Sequence, residues 1–264
     1  MIIDLDEKGL ALKIIFDGYD FLNKDIAKIL LRNKNIPQII STTYIPEIYN
    51  NANLFLDYCK TNKDDCYIPK ELMDKYKVGL YNLKDCNDNN NPWKDNNYIL
   101  FNSKIINPLV KRFPFIADVK FWVCPSFDEN GKCDAIGFRV VNSESVLNSF
   151  KWIFTCGNNI IYGKDSVNKN EECYIVEGFR DYVALNELGY NVIGLGSVVI
   201  SKEQESYIQT LSNPILLLDN DDFGLNKTLQ YKDKYRIATL IGSKEKDAYD
   251  SWIKNGKIDI REIK

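Results

Sequence analysis

Histidine is absent from all 264 residues. That absence excludes Ser-His-Asp and Cys-His catalysis, histidine-based nucleases and every His-ligated zinc site. The seven cysteines, Cys59, Cys66, Cys86, Cys124, Cys133, Cys156 and Cys173, are odd in number and form no C-x-x-C pair. A disulfide framework or zinc ribbon is therefore not expected, and buried reduced thiols are. No apolar run approaches the roughly 20 residues of a membrane span, and Met1-Ile-Ile-Asp-Leu-Asp is no signal peptide. A cytoplasmic protein with no membrane partner is the expectation. Charge of either sign is in short supply as a surplus: 34 Lys and Arg face 37 Asp and Glu, a net of −3. No global field draws the chain to nucleic acid, so any such binding rests on local patches. The chemistry left is carboxylate with metal, lysine or thiolate.

What is present is ordinary for a globular protein, 45% hydrophobic and 27% charged, with enough length for one large domain or two small ones. Residues 1–97 read as a mainly helical region. Asp25-Ile-Ala-Lys-Ile-Leu-Leu and Asn51-Ala-Asn-Leu-Phe-Leu-Asp-Tyr-Cys carry helical spacing, and Pro69-Lys-Glu-Leu-Met opens another helix at its proline. A short strand is possible at Lys13-Ile-Ile-Phe, and the Asn-rich stretch 85–97 reads as a linker or exposed loop. Residues 98–170 read as a mixed α+β subdomain. Phe121-Trp-Val-Cys and Ala135-Ile-Gly-Phe-Arg-Val-Val form a hairpin about Asp128-Glu-Asn-Gly131, and Lys151-Trp-Ile-Phe adds a strand.

Residues 171–253 alternate strand and helix: strands at 173–176, 192–195, 215–218 and 236–241, helices at 181–189, 202–211 and 225–232. Such alternation with short connections predicts a parallel sheet with right-handed crossovers. Residues 254–264 read as a C-terminal tail. The strand Tyr174-Ile-Val stops on Glu177-Gly178-Phe-Arg-Asp181, and Ile215-Leu-Leu-Leu stops on Asp219-Asn-Asp221-Asp222-Phe-Gly224. A third acidic island, Lys244-Glu-Lys-Asp247-Ala-Tyr-Asp250, follows the strand at 236–241. In a parallel sheet these strand ends line one edge, where α/β proteins keep their sites. Carboxylates gathered there repel one another unless a divalent cation neutralises them, which points to magnesium or manganese. Individually, Glu177-Gly178 could be a turn, Asp181 a helix-start acid and the Asp219 loop a soluble surface.

The same residues carry a family resemblance. Val176-Glu177-Gly178-x-x-Asp181-x-x-Ala184-Leu185, Gly189 and Gly194-Leu-Gly196-Ser resemble the first half of a TOPRIM domain, and Leu218-Asp219-Asn-Asp221-x-x-Gly224 with Lys246-Asp247 its second half. The wording is closest to the catalytic cores of DnaG-type and phage-type DNA primases. Upstream, Gly137-Phe-Arg139, Phe150-Lys151-Trp152 and Ile161-Tyr-Gly163 resemble the stretch that precedes TOPRIM there. The implied fold is α/β, a TOPRIM-type parallel sheet flanked by helices and preceded by a smaller mixed α+β subdomain.

The resemblance implies metal-dependent synthesis of short primers on single-stranded DNA. Glu177, Asp219 and Asp221 are the implied catalytic residues, and Asp181 and Asp247 join them as metal ligands. Arg139 and Lys151 are the implied nucleotide-phosphate residues. A basic stripe of Lys104, Lys111, Arg112 and Lys120, interleaved with Phe113, Phe115, Phe121 and Trp122, is the candidate single-strand track; solvated lysines over core aromatics are its plainer explanation. Nucleoside triphosphates, a single-stranded template and a replicative helicase or separate template-recognition module are the implied partners. The chain departs from the family in having no zinc-binding module and little sequence after the TOPRIM unit, and in placing Tyr249 where relatives often have another aspartate. Three alternatives remain: a TOPRIM nuclease, a non-catalytic single-strand-binding replication module, and a small-molecule α/β protein. Gly194-Leu-Gly196 lacks the third glycine of a dinucleotide site.

Overall fold

The structure is a computed structural model and describes residues 39–41, 56, 57, 59, 67–82, 120–141, 152–241 and 245–263. The expected strand at 13–16, the helix from Asp25 and the loop at 85–97 lie outside the described residues, as do Lys104, Lys111, Arg112 and Lys151. The chain divides into two compact units, 1–124 with 136–157, and 125–135 with 158–264.

The first unit is built on a five-stranded sheet: β1 (Ile39–Ser41), β2 (Gly79–Asn82), β3 (Lys120–Phe127), β4 (Cys133–Val140) and β5 (Trp152–Asn158), in the order β1-β5-β4-β3-β2. A short helix, α1 (Lys70–Met73), starts after Pro69 as the sequence predicts. The predicted hairpin is β3 and β4. Its turn closes through Asp128, whose carboxylate accepts the Asn130 and Lys132 amides at 2.9 Å. Phe121 and Trp122, read as possible base-stacking residues, are buried; Phe121 meets Phe138 edge-on at 6.1 Å. They are core residues with no ring face free for a nucleobase.

The longer segment of the second unit starts at Asn158. The reason is packing: Ile160, Ile161 and Tyr162 are buried, and Tyr162 exchanges backbone hydrogen bonds with Gly194 at 2.8 and 3.1 Å. The hairpin tip also belongs to this unit. The Ser126 hydroxyl hydrogen-bonds the Ile161 carbonyl at 2.6 Å, and Asp134 pairs with Lys164.

From there the predicted alternation holds as far as residue 240, and a helix and an edge strand that were not expected lie beyond it. β6 (Glu172–Val176), α2 (Phe179–Glu187), β7 (Val192–Gly194), α3 (Lys202–Ile208), β8 (Asn213–Leu217), α4 (Asp222–Tyr231), β9 (Arg236–Leu240), α5 (Ala248–Asn255) and β10 (Ile260–Ile263) follow one another. The sheet order is β10-β9-β8-β6-β7, with β7, β6, β8 and β9 parallel and β10 antiparallel at the edge. Alternate residues Cys173, Ile175, Ile193, Leu195, Leu216, Leu218 and Ile237 form one core with Ile208 of α3, and Tyr231 of α4 packs against it. α2 packs on α5 and on β7. Gln204 fastens α3 from within: its buried Nε2 donates to the carbonyls of Ile160 and Leu195 at 2.8 Å, and its Oε1 accepts from the Ser201 amide.

Residues 254–264, expected as a tail, contain the edge strand β10 instead. Gly256, at φ 69°, ends α5 in the left-handed region and turns the chain back. Ile258 is then buried, and Arg236 Nε donates to Glu262 at 2.8 Å. Short, exposed and charged, this strand lacks an apolar run to mark it. Among the described residues no helix is long and apolar enough to cross a membrane.

Candidate active site

Each site acid follows from a strand that ends at the same sheet edge. Val176 is paired in parallel register with both Leu217 and Gly194, so β6, β7 and β8 finish level. β6 continues into α2 and on to β7 on one side; β8 continues into α4 and on to β9 on the other. The adjacent strands β6 and β8 thus flank the point where the winding reverses, the position at which open α/β sheets bind ligands. Glu177 follows β6 there, and Asp219 follows β8.

Glycines let these loops close. A Cβ on Gly224 would lie 2.1 Å from the Asp219 carbonyl oxygen and 3.0 Å from its carbon. The loop from Asp219 therefore folds back against its own start, which only glycine allows. Asp221 caps α4, accepting the Gly224 amide on Oδ1 at 2.8 Å. Asp247 caps α5 in the same way, accepting from the Asp250 amide at 2.8 Å. Asp181, in the first turn of α2, is buried and accepts the Tyr249 amide of α5 on Oδ1 at 3.1 Å. Asn220 donates its amide to the Lys246 carbonyl at 2.7 Å and ties the second and third islands together. Three helix N-termini face these carboxylates, a favourable arrangement for negative charge.

Two cations complete the cluster. Lys246 Nζ stands 3.0 Å from Asp219 Oδ2 and 3.1 Å from Asp221 Oδ2. Arg180 reaches Asp247 at 3.8 Å and lies 4.6 Å over the Tyr249 ring. Sequence reading assigned no role to either residue. The available signal was a lysine immediately before Asp247 and an arginine immediately before Asp181.

The acids titrate abnormally. Burial, then the charge of Asp219, pushes Glu177 from 4.5 up to about 7. Burial raises Asp181 well above the carboxylate range, with Asp247 and Asp219 adding to it. Asp219 is also raised by burial, against the pull of Lys246. Burial disfavours the charge on Lys246, yet its hydrogen bonds with Asp219 and Asp221 prevail and its pKa rises. Cys173 is not a ready thiolate: burial pushes its thiol up to about 12.

Glu177, Asp181, Asp219, Asp221 and Asp247 thus all belong to one sheet edge of the second unit. Arg139 belongs to the first unit, on β4 opposite Trp152 of β5, with its guanidinium 5.6 Å over that indole. Lys120 is exposed at the start of β3.

Among the described residues no three of these carboxylates converge as a ready-made metal cage. Two of them do share a cation, the Lys246 ammonium. The donor set is oxygen only, the preference of magnesium and manganese, and magnesium is commonly held by one or two carboxylates and completed by water and substrate phosphate. The residues present fit such an ion.

Residues 174–251 match the Toprim-like family. A DNA primase of Rickettsia prowazekii (strain Madrid E) is 31% identical over 107 residues, which is 38% of this chain and 18% of that protein. The match thus spans less than a fifth of the curated relative. A DNA primase domain from Pseudomonas aeruginosa superposes with a TM-score of 0.55 at 15% identity, covering 79% of this chain and 75% of that one. The RNA polymerase domain of Mycobacterium tuberculosis primase DnaG, solved with double-stranded DNA bearing a 6-nucleotide overhang, gives 0.55 at 13% identity over 81% and 78%. A DnaG primase catalytic domain bound to single-stranded DNA gives 0.52 at 15% identity over 80% and 75%. The chain carries a Toprim-like segment within a mixed α/β fold shared with DnaG primase catalytic cores.

Proposed function

We propose that this chain is a metal-dependent nucleotidyltransferase core that makes short primers on single-stranded DNA. The observation that carries the reading is the Asp219–Asp221 pair sharing one cation at the winding reversal, with Glu177 on the adjacent strand end. The Toprim-like segment and the primase fold support it.

Asp219, Asp221 and Glu177 would hold a magnesium or manganese ion, with Asp181 and Asp247 in support. Such an ion, when bound, stabilises the charge of an attacking 3′-hydroxyl and a departing pyrophosphate. Glu177, titrating near neutrality, exchanges a proton readily at its carboxyl, the property that general acid–base work requires. The helix caps keep the aspartates from rotating freely, so binding costs less ordering. Arg139 and Lys151 are assigned to triphosphate or template phosphate on the family resemblance, through charge-assisted hydrogen bonds. Single-stranded DNA and nucleoside triphosphates are the substrates of this reading. A helicase or a separate template-recognition chain is its partner.

The deciding experiment incubates the protein with a single-stranded template, labelled nucleotides and magnesium or manganese, beside Asp219→Ala/Asp221→Ala. New short oligonucleotides that vanish in the double variant are expected. A shortened template without synthesis would instead make the site a nuclease. Strand binding with neither product, unchanged by chelation, would reduce the chain to a binding module.

A further inference from the structure

Lys246 has an anchored backbone and an exposed head. Its carbonyl is held by the Asn220 amide at 2.7 Å, while its side chain remains 53% exposed. Its ammonium lies 3.0 Å from Asp219 Oδ2 and 3.1 Å from Asp221 Oδ2. Asp219 itself is enclosed, with 13% of its side chain exposed. The remaining oxygen of Asp221 is committed to the Gly224 amide at 2.8 Å. The oxygens turned toward Lys246, Asp219 Oδ2 and Asp221 Oδ2, are thus a pair that one cation spans. A divalent cation held by this pair would compete with the ammonium for the same two atoms, and a four-carbon stem would let the ammonium leave without moving the loop.

Resting on the nucleotidyl-transfer reading above, we propose that Lys246 is the resident counter-ion of the Asp219–Asp221 pair, displaced when a divalent ion binds and then free to pair with nucleotide phosphate. Between the two loops the ammonium offsets carboxylate repulsion in the metal-free protein. Released at the exposed rim, it is a strongly hydrated point charge suited to a triphosphate. One residue thus acts in opposite directions, weakening the binding of a bare ion and strengthening that of an ion with its nucleotide.

The experiment measures manganese binding by electron paramagnetic resonance, then nucleoside triphosphate binding at saturating manganese by calorimetry. The proteins are wild type, Lys246→Met, Lys246→Arg and Asp219→Asn, each checked for folding by circular dichroism. Lys246→Met should bind manganese about tenfold more tightly and triphosphate about tenfold more weakly, the scale of one charge-assisted contact. Lys246→Arg, which keeps the charge, should stay within about threefold of wild type for manganese on the same scale. A purely structural lysine would not move the two affinities in opposite senses. Manganese binding in Lys246→Met no tighter than wild type, or triphosphate binding no weaker, overturns the proposal. Wild-type manganese binding that survives in Asp219→Asn overturns the metal-site reading itself, whatever Lys246 does.

Discussion

The Tyr249 amide donates to Asp181 Oδ1 at 3.1 Å, joining the start of α5 to the start of α2 across 68 residues. Asp181 is buried, and burial raises its pKa well above the carboxylate range. A buried acceptor on an otherwise open helix N-terminus is a structural bond as much as a site feature. Asp181→Ala should lower stability by about 1–3 kcal/mol in urea unfolding, the cost of leaving a buried amide unpaired. Asp181→Asn keeps an acceptor oxygen and should lose less than half as much. Equal losses in the two variants would remove the hydrogen bond as the cause.

Glu177 makes stability depend on pH in the metal-free protein. Its folded pKa is about 7 against an ordinary 4.5, so the folded state holds the proton more tightly than the unfolded chain. The sign follows from proton linkage: this stabilising contribution is full below 4.5 and is lost as pH rises through about 7. A shift of that size corresponds to about 3 kcal/mol when ionisation is complete. With chelator present, Glu177→Gln should match wild type near pH 4.5 and exceed it by up to that amount at pH 8. Urea midpoints at the two pH values give the comparison. Parallel pH profiles for the two proteins would show that the Glu177 charge is not strained. Saturating magnesium should narrow the gap at pH 8, since only wild type gains charge neutralisation there.

How much of this was legible in the sequence depends on what each element has to announce it. β6 to β9 were, because four apolar runs end on an acid, a glycine or a polar loop, and their observed bounds lie within two residues of the expected ones. The first-turn acids and cap aspartates of the site were legible as an acidic set. That Asp221 and Asp247 cap helices, and that Asp181 binds a third helix start, depends on loop closure that no local pattern encodes. Lys246 illustrates the limit: its neighbour Asp247 is adjacent in sequence, yet its ion-pair partners are more than twenty residues away. β10 was missed because only its isoleucines mark it, and for Phe121 and Trp122 the core explanation could not be separated from base stacking because alternation cannot show that a strand is covered on both faces.

Gly224 should be the least replaceable residue of the site. Its added Cβ would meet Asp219 backbone atoms at 2.1, 3.0 and 3.2 Å, and backbone cannot swing aside as a side-chain tip can. The strain must either open the loop that carries Asp219 or unseat the first turn of α4, where Asp221 is the cap. Gly131 is the internal control: it has φ +73° but nothing within 4 Å of a new Cβ, so alanine there meets only the left-handed backbone penalty. Gly131→Ala should cost about 1–2 kcal/mol and leave manganese affinity unchanged. Gly224→Ala should cost about 3 kcal/mol or more and weaken manganese binding at least tenfold, because both aspartates move with the loop. Thermal melts and manganese titrations of the two variants separate the outcomes. A Gly224→Ala protein that melts and binds manganese like the Gly131→Ala control would mean that the Asp219–Asp221 loop is not held as tightly as the Gly224 contact requires.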